Sequence, residues 1–182
     1  MNVIFIDFDG TLDSYYYKAY EDTEEKVKIL ADICHTYDAK VVIEASAKET
    51  IDEETLKTNN KWVKFIFDCF KKYNIECIGR TPNVEKKLNN YSYISSWKED
   101  EIRLYLYRHP EIEHYCVIDD DDFAPRNSDL NKVRNHLVKT IYYSNNPEEE
   151  GLLEKHKTEV GNVLKLDNEI KKLALRKNKK IR

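Results

Sequence analysis

The four apolar residues Val3, Ile4, Phe5 and Ile6, closed at once by Asp7-Phe8-Asp9-Gly10-Thr11, constrain this chain more than any other stretch. A short unbroken apolar run rich in β-branched residues reads as a strand covered on both faces. Acids that follow such a strand without a spacer fall at its carboxyl end, where parallel sheets bind their ligands. The rest of the chain supplies the partners such a strand needs. A helical face of Val27, Leu30, Ala31 and Cys34 predicts a helix over 23–37, and 41–43 reads as a second buried strand. Trp62, Ile66, Cys69 and Phe70 fall in register for a helix over 60–73, followed by a strand over 75–78. Ser96 with Glu99 is a capping-box signature for a helix that runs to about Arg108 and is stopped by Pro110. Strands over 115–118 and 137–142 and a helical region over 154–175 complete the order.

Strands alternating with helices predict an α/β fold, a Rossmann-like parallel sheet of about five strands with helices on both faces. With 182 residues, no internal repeat and no linker, one domain is expected over 1–170. A basic tail follows over 171–182, where Lys171, Lys172, Arg176, Lys177, Lys179, Lys180 and Arg182 concentrate charge. It reads either as a solvated terminus or as an arm that attracts phosphate polymers. The net charge of −4 argues against a surface coated by nucleic acid, and no apolar run is long enough to cross a membrane. The N-terminal residues lack a basic region and meet Asp7 after a few apolar positions, so a secretory leader is not expected. Cys34, Cys69, Cys77 and Cys116 form no CxxC pair and sit among apolar neighbours, which predicts buried free thiols in a reducing cytoplasm.

Two predicted strands end in acids, the first at Asp7 and Asp9 and the fourth at Asp119-Asp120-Asp121-Asp122. Carboxylates brought together at one sheet edge repel unless a cation sits among them, and an all-oxygen set suits Mg²⁺. Gly10 permits a tight turn and close approach of backbone to phosphate, and Thr11 can offer its hydroxyl to the loop or to a phosphoryl group.

Asp7-Phe8-Asp9-Gly10-Thr11-Leu12 after an N-terminal strand resembles the first motif of the haloacid dehalogenase (HAD) superfamily of phosphotransferases. The resemblance implies that Asp7 attacks phosphorus to give an aspartyl-phosphate. Asp9 would protonate the leaving oxygen and then activate water. It implies further that Asp7, Asp9 and Asp120 hold Mg²⁺, Asp9 through its backbone carbonyl, with Asp119 supporting or sharing the metal. Lys98 would neutralise the developing charge, and Arg103 is a weaker candidate for that task. Gly10, Thr11 and Ser46 would bind phosphate. The sequence departs from the family at its second motif. Where a serine or threonine should follow the second strand, the chain reads Val41-Val42-Ile43-Glu44-Ala45-Ser46-Ala47-Lys48. Either Glu44 faces the pocket and repels phosphate, or Ser46 donates from a shifted loop with Glu44 turned away; the reading favours Ser46.

Within the superfamily, the chain looks like the capless HAD domain of Swiss-army-knife RNA-repair proteins. Gly79-Arg80-Thr81-Pro82, Lys98-Glu99-Asp100-Glu101-Ile102, His109-Pro110-Glu111-Ile112, Val117-Ile118-Asp119-Asp120 and Gly151-Leu152-Leu153 carry that likeness. The intervals from Thr11 to Val41 and from Ile78 to Lys98 leave no room for a folded cap. An uncovered site would admit a phosphorylated substrate as large as a nucleic-acid terminus. Tyr15, Tyr16 and Tyr17 beside it could stack on a base or pack locally. The leading expectation is a Mg²⁺-dependent phosphomonoesterase or phosphotransferase. The alternative is a degenerate HAD-like binding or regulatory module that kept the metal site.

Overall fold

A computed structural model describes residues 1–13, 20–83, 86–88, 92–94, 98–122 and 133–165. In chain order the elements are β1 (Asn2–Ile6), α1 (Tyr20–Tyr37), β2 (Ala39–Ile43), α2 (Lys61–Lys72), β3 (Cys77–Arg80), β4 (Lys86–Leu88), β5 (Ser92–Ile94), α3 (Lys98–Arg108), β6 (His114–Asp119), β7 (Leu137–Lys139) and α4 (155–165). Short 3-10 turns occupy Ser46–Thr50, Arg134–His136 and Pro147–Glu149.

Among the described residues, a five-stranded sheet runs β3-β2-β1-β6-β7, and every pairing in it is parallel. The fold is the expected Rossmann-like α/β arrangement. The chain moves outward from β1 through β2 to β3, then crosses back to lay β6 on the other side of β1. Reversing direction moves the connecting helix to the opposite face, because crossovers keep one hand. Ile4, Ile6, Val41, Ile43, Cys116 and Ile118 accordingly pack against α1, α2 and α4. Val3, Phe5, Val42 and Val117 pack against Ile102 and Tyr105 of α3. The reversal between β1 and β6 is the topological switch point at which such sheets bind ligands.

Local chemistry fixes the ends of these elements. Asn60 caps α2, its side-chain oxygen accepting from the amides of Trp62 (3.0 Å) and Val63 (3.2 Å). The third strand starts later than its apolar pattern suggests. Asn74 takes a left-handed φ of 55° after α2, and buried Ile75 fills the space under that helix end while its amide bonds to Phe70. The last strand is shorter than expected, because after Lys139 the chain leaves the sheet to run past the loop that follows β1. The antiparallel β4–β5 hairpin, in register from Lys86↔Ile94 to Leu88↔Ser92, has no counterpart in the sequence reading. It lies in the interval between β3 and α3 where too little chain was available for a cap. Gly79 leaves space that Tyr105 fills, since a Cβ there would meet the tyrosine oxygen at 2.6 Å. His156 accepts the Leu153 amide at 2.9 Å, and burial pushes its pKa down to about 4, so the neutral ring remains an acceptor at the start of α4.

All four cysteines are free, and Cys34, Cys69 and Cys116 are buried. No described helix is long and apolar enough to cross a membrane. Ser96, Tyr15 to Tyr17 and the proposed boundary at 170/171 lie outside the described residues.

Candidate active site

Strand alternation decides which side chains meet. Phe5 is paired with Val42 on one side and Val117 on the other, and all three face α3. Two residues further along, on the same face, stand Asp7, Glu44 and Asp119, and Thr81 follows Gly79 in the same way on β3. The amides of Asp7, Glu44 and Thr81 continue the ladder to Ile118, Ile6 and Ile43 at 3.0, 2.9 and 2.9 Å. A row of polar side chains thus crosses the carboxyl edge, and all four are buried. Above it α3 begins, with Lys98 as its first residue.

The loop after β1 is tied from several sides. The Phe8 carbonyl accepts from the amides of Thr11, Leu12 and Asp13, and the Gly10 amide donates to Asp13 Oδ1 at 2.9 Å. Gly10 has φ +72°, and a Cβ there would stand 2.7 Å from Asp120 Cγ. Glycine is required twice, by backbone conformation and by the approach of Asp120. A strap from the far end of the chain closes over this loop. Leu152 donates to Thr11 O at 2.8 Å, Lys26 Nζ donates to Glu150 O at 2.8 Å, and Gly151 adopts φ +69° between them. Gly10→Ala is expected to lower stability by about 1–3 kcal/mol and to reduce stabilisation by added Mg²⁺, because the methyl displaces Asp120. Thermal melts with and without Mg²⁺ check this; a wild-type response in the variant would refute it.

Electrostatically the edge is crowded. Asp7, Asp119 and Asp120 each offer an oxygen such that these atoms lie within 4.8 Å of one another. Lys98 Nζ lies 2.9 and 3.1 Å from the two Asp119 oxygens, 3.0 Å from Asp121, 3.6 Å from Asp7 and 3.9 Å from Glu44. Burial, followed by the charge of Asp119, raises the Asp7 pKa well above the ordinary carboxylate range, against the pull of Lys98. Burial and then Asp119 and Asp121 raise Asp120 to about 6. Burial alone would lower Lys98, but Asp7, Asp119 and Glu44 outweigh it and hold the ammonium above its usual range. Asp7 and Asp120, raised in this way and converging with an oxygen of Asp119, suit a hard divalent cation, which would favour their ionised forms.

Asp7, Asp119, Asp120 and Lys98 are therefore brought together from β1, β6 and α3. Asp9 is exposed on the turn, and its carboxylate is not one of the converging three. Thr11 is fully buried with its hydroxyl 3.0 Å from that of Thr140, just after β7. Arg103 pairs with Asp100 at 3.6 Å on α3. Ser46 is exposed at the first position of its 3-10 turn. The expectation that Glu44 turns away is corrected. Register with Asp7 aims it at the α3 side, where it is fully buried with neither carboxyl oxygen hydrogen-bonded. Burial raises its pKa well above the usual range, while Lys98 and then Lys48 pull it back. Lys48 and Glu101, which sequence reasoning did not single out, complete the surroundings. Lys48 Nζ is 3.8 Å from Glu44 and forms a buried ion pair with Glu101. No local pattern signals this pair, because Glu44 follows a strand and Lys48 lies in a 3-10 turn, where helical i,i+4 spacing does not apply.

The family model described as the HAD domain in Swiss Army Knife RNA repair proteins matches residues 3–144. The comparisons with curated proteins and with solved structures gave no match. The family match supports a phosphatase or phosphotransferase kind of function. It runs from β1 to just beyond β7 and takes in all three converging aspartates and Lys98, and the chain belongs to the family of HAD domains found in Swiss Army Knife RNA repair proteins.

Proposed function

We propose that the protein is a Mg²⁺-dependent phosphomonoesterase or phosphotransferase working through an aspartyl-phosphate on Asp7. The observation that carries this reading is the meeting of Asp7 with Asp119, Asp120 and the Lys98 ammonium at the switch point of the sheet. One Asp7 oxygen forms the bond to phosphorus as the bond to the leaving oxygen breaks. Asp9, exposed on the same turn, gives that oxygen a proton. Asp9 then takes a proton from the water that releases phosphate and regenerates Asp7. Lys98 offsets the negative charge of the transferring group. Mg²⁺ held by Asp7, Asp120 and the Asp9 carbonyl, with Asp119 supporting, would supply the charge that lets an anionic phosphate approach three carboxylates.

Substrates with phosphate on a nucleic-acid end fit the absence of chain length for a cap, and the family's occurrence in RNA repair proteins supports that class. The basic run 171–182 suits the same polyanionic partner. Four free thiols, three of them buried, support a cytoplasmic setting. The burial of Glu44 where a phosphate-binding hydroxyl is expected favours a second reading, a binding module without turnover. An assay with an aryl phosphate and with 3′- and 5′-phosphorylated oligonucleotides, with Mg²⁺ or EDTA, separates the two. Mg²⁺-dependent release of phosphate is expected. Thermal stabilisation by Mg²⁺ without any release would establish the binding module instead.

A further inference from the structure

Glu44 is the least satisfied side chain at the site. It is fully buried, neither oxygen accepts a hydrogen bond, and its neighbours include two ammonium groups, Lys48 at 3.8 Å and Lys98 at 3.9 Å. A buried carboxyl placed this way is destabilising unless it acts on those cations. The two lysines are held differently. Lys48 has its own close partner in Glu101, which lies in the first turn of α3 with Lys98. Lys98 depends chiefly on Asp119, which binds it through both oxygens, with Asp7 and the exposed Asp121 nearby. Asp7 and Asp119 also belong to the set that converges for a cation, whereas Glu44 does not. A divalent ion on that set would draw the charge of Asp7 and Asp119 to itself and weaken their hold on the ammonium. Glu44 lies outside that set and stays against Lys98, 3.9 Å away.

We infer that Glu44 is a positioning residue. Backed by the buried Lys48–Glu101 pair, its carboxylate anchors the Lys98 ammonium beside Asp7 when a cation occupies the aspartate set. This rests on the reading of Lys98 as the group that meets the phosphoryl oxygens, and it explains how a chain lacking a hydroxyl at position 44 retains a cation facing phosphate. The anchor runs through three elements. Glu44 extends β2, Lys48 lies in the following 3-10 turn, and Glu101 and Lys98 share the first turn of α3.

The test reads Lys98 directly, without turnover. The full chain is acetylated under competitive conditions at one fixed pH, with Mg²⁺ or EDTA, and the modification at Lys98 is measured by mass spectrometry against exposed Lys61. Glu44→Gln keeps shape and removes charge, so it also reproduces a protonated Glu44. In Mg²⁺ the Lys98 of E44Q, released from its anchor, should react about tenfold faster than in wild type, with a smaller difference in EDTA. Glu44→Asp, which withdraws the carboxylate by one methylene, should lie between, and it decides the matter if E44Q does not fold. In kinetics, E44Q should raise KM for an aryl phosphate and Ki for inorganic phosphate by about tenfold, while Mg²⁺ affinity by thermal shift stays within about twofold. Unchanged Lys98 reactivity in both variants would overturn the inference. So would a lower KM in E44Q, which would make Glu44 merely a repelling acid, or a KM rise confined to Ser46→Ala. A wild type without turnover would count against the phosphatase reading, while the labelling result would still decide the role of Glu44.

Discussion

Asp7→Asn is expected to abolish Mg²⁺-dependent phosphate release, a loss on the order of 10⁴-fold or more, while making the metal-free protein more stable. The amide has no charge with which to attack phosphorus, so no intermediate forms on it. The stability gain has a separate origin. Asp7 is raised well above the carboxylate range by burial and then by Asp119. The folded state therefore holds a proton that the unfolded chain releases near pH 4. Stability tied to that proton is full below the unfolded pKa and declines as pH rises through the higher folded one. In EDTA the wild type should lose stability across this interval toward neutral pH, and the Asn variant should show a flatter profile. Thermal melts in EDTA from pH 4 to 8 check the slope, and phosphate release checks the rate. Near-normal turnover by the variant would eliminate the aspartyl-phosphate mechanism.

Lys98→Met is expected to produce the largest loss of stability in the metal-free protein. The ammonium lies within 4.0 Å of carboxylate oxygens from Asp7, Glu44, Asp119 and Asp121, and most of its side chain is covered. Removing the shared partner of buried charges typically destabilises by about 3–5 kcal/mol, or roughly 10 °C in a chain of this size. The sign with pH follows from the carboxyls. Asp7 and Glu44 are already raised, and without the cation their folded-state pKa values rise further. The defect should therefore be small near pH 4 and grow toward pH 8. Added Mg²⁺ should restore stability, because it replaces a cation in the same cluster. Activity should stay depressed by about 10²–10³-fold, since charge on the metal does not substitute for a group placed against the phosphoryl oxygens. A variant as stable as wild type in EDTA at pH 8 would show that the Lys98 contacts contribute nothing to folding.

The HAD domain assignment and the parallel sheet were legible in the sequence because they depend on local pattern. An apolar run of strand length ending in acid, at Ile6-Asp7 and again at Ile118-Asp119, needs no distant information to be read. Helical faces such as Val27-Leu30-Ala31-Cys34 are equally local, and they specified α1 and α2 well, with Asn60 marking where α2 begins. Boundaries that depended on nonlocal packing were less legible. Ile75 looks like strand by composition, yet it is spent beneath the end of α2, and the residues after Lys139 are drawn off the sheet toward Gly10.

The orientation of individual site residues belonged to the tertiary structure alone. Whether Glu44 faces phosphate, solvent or core depends on the register of β2 against β1, which carries Asp7 at its end, and a shift by one residue would reverse the face. Register is fixed by Phe5, Val42 and Val117 packing under α3, residues far apart in sequence. The same packing brings Lys48 of one connection against Glu101 of another, and it turns the Thr11 hydroxyl to Thr140. The sequence by itself determined which chemical groups the sheet edge would carry, because strand ends and acids are written side by side. Only the folded chain decided which of those groups face one another, because that depends on alternation and register between strands whose order in space differs from their order in the chain.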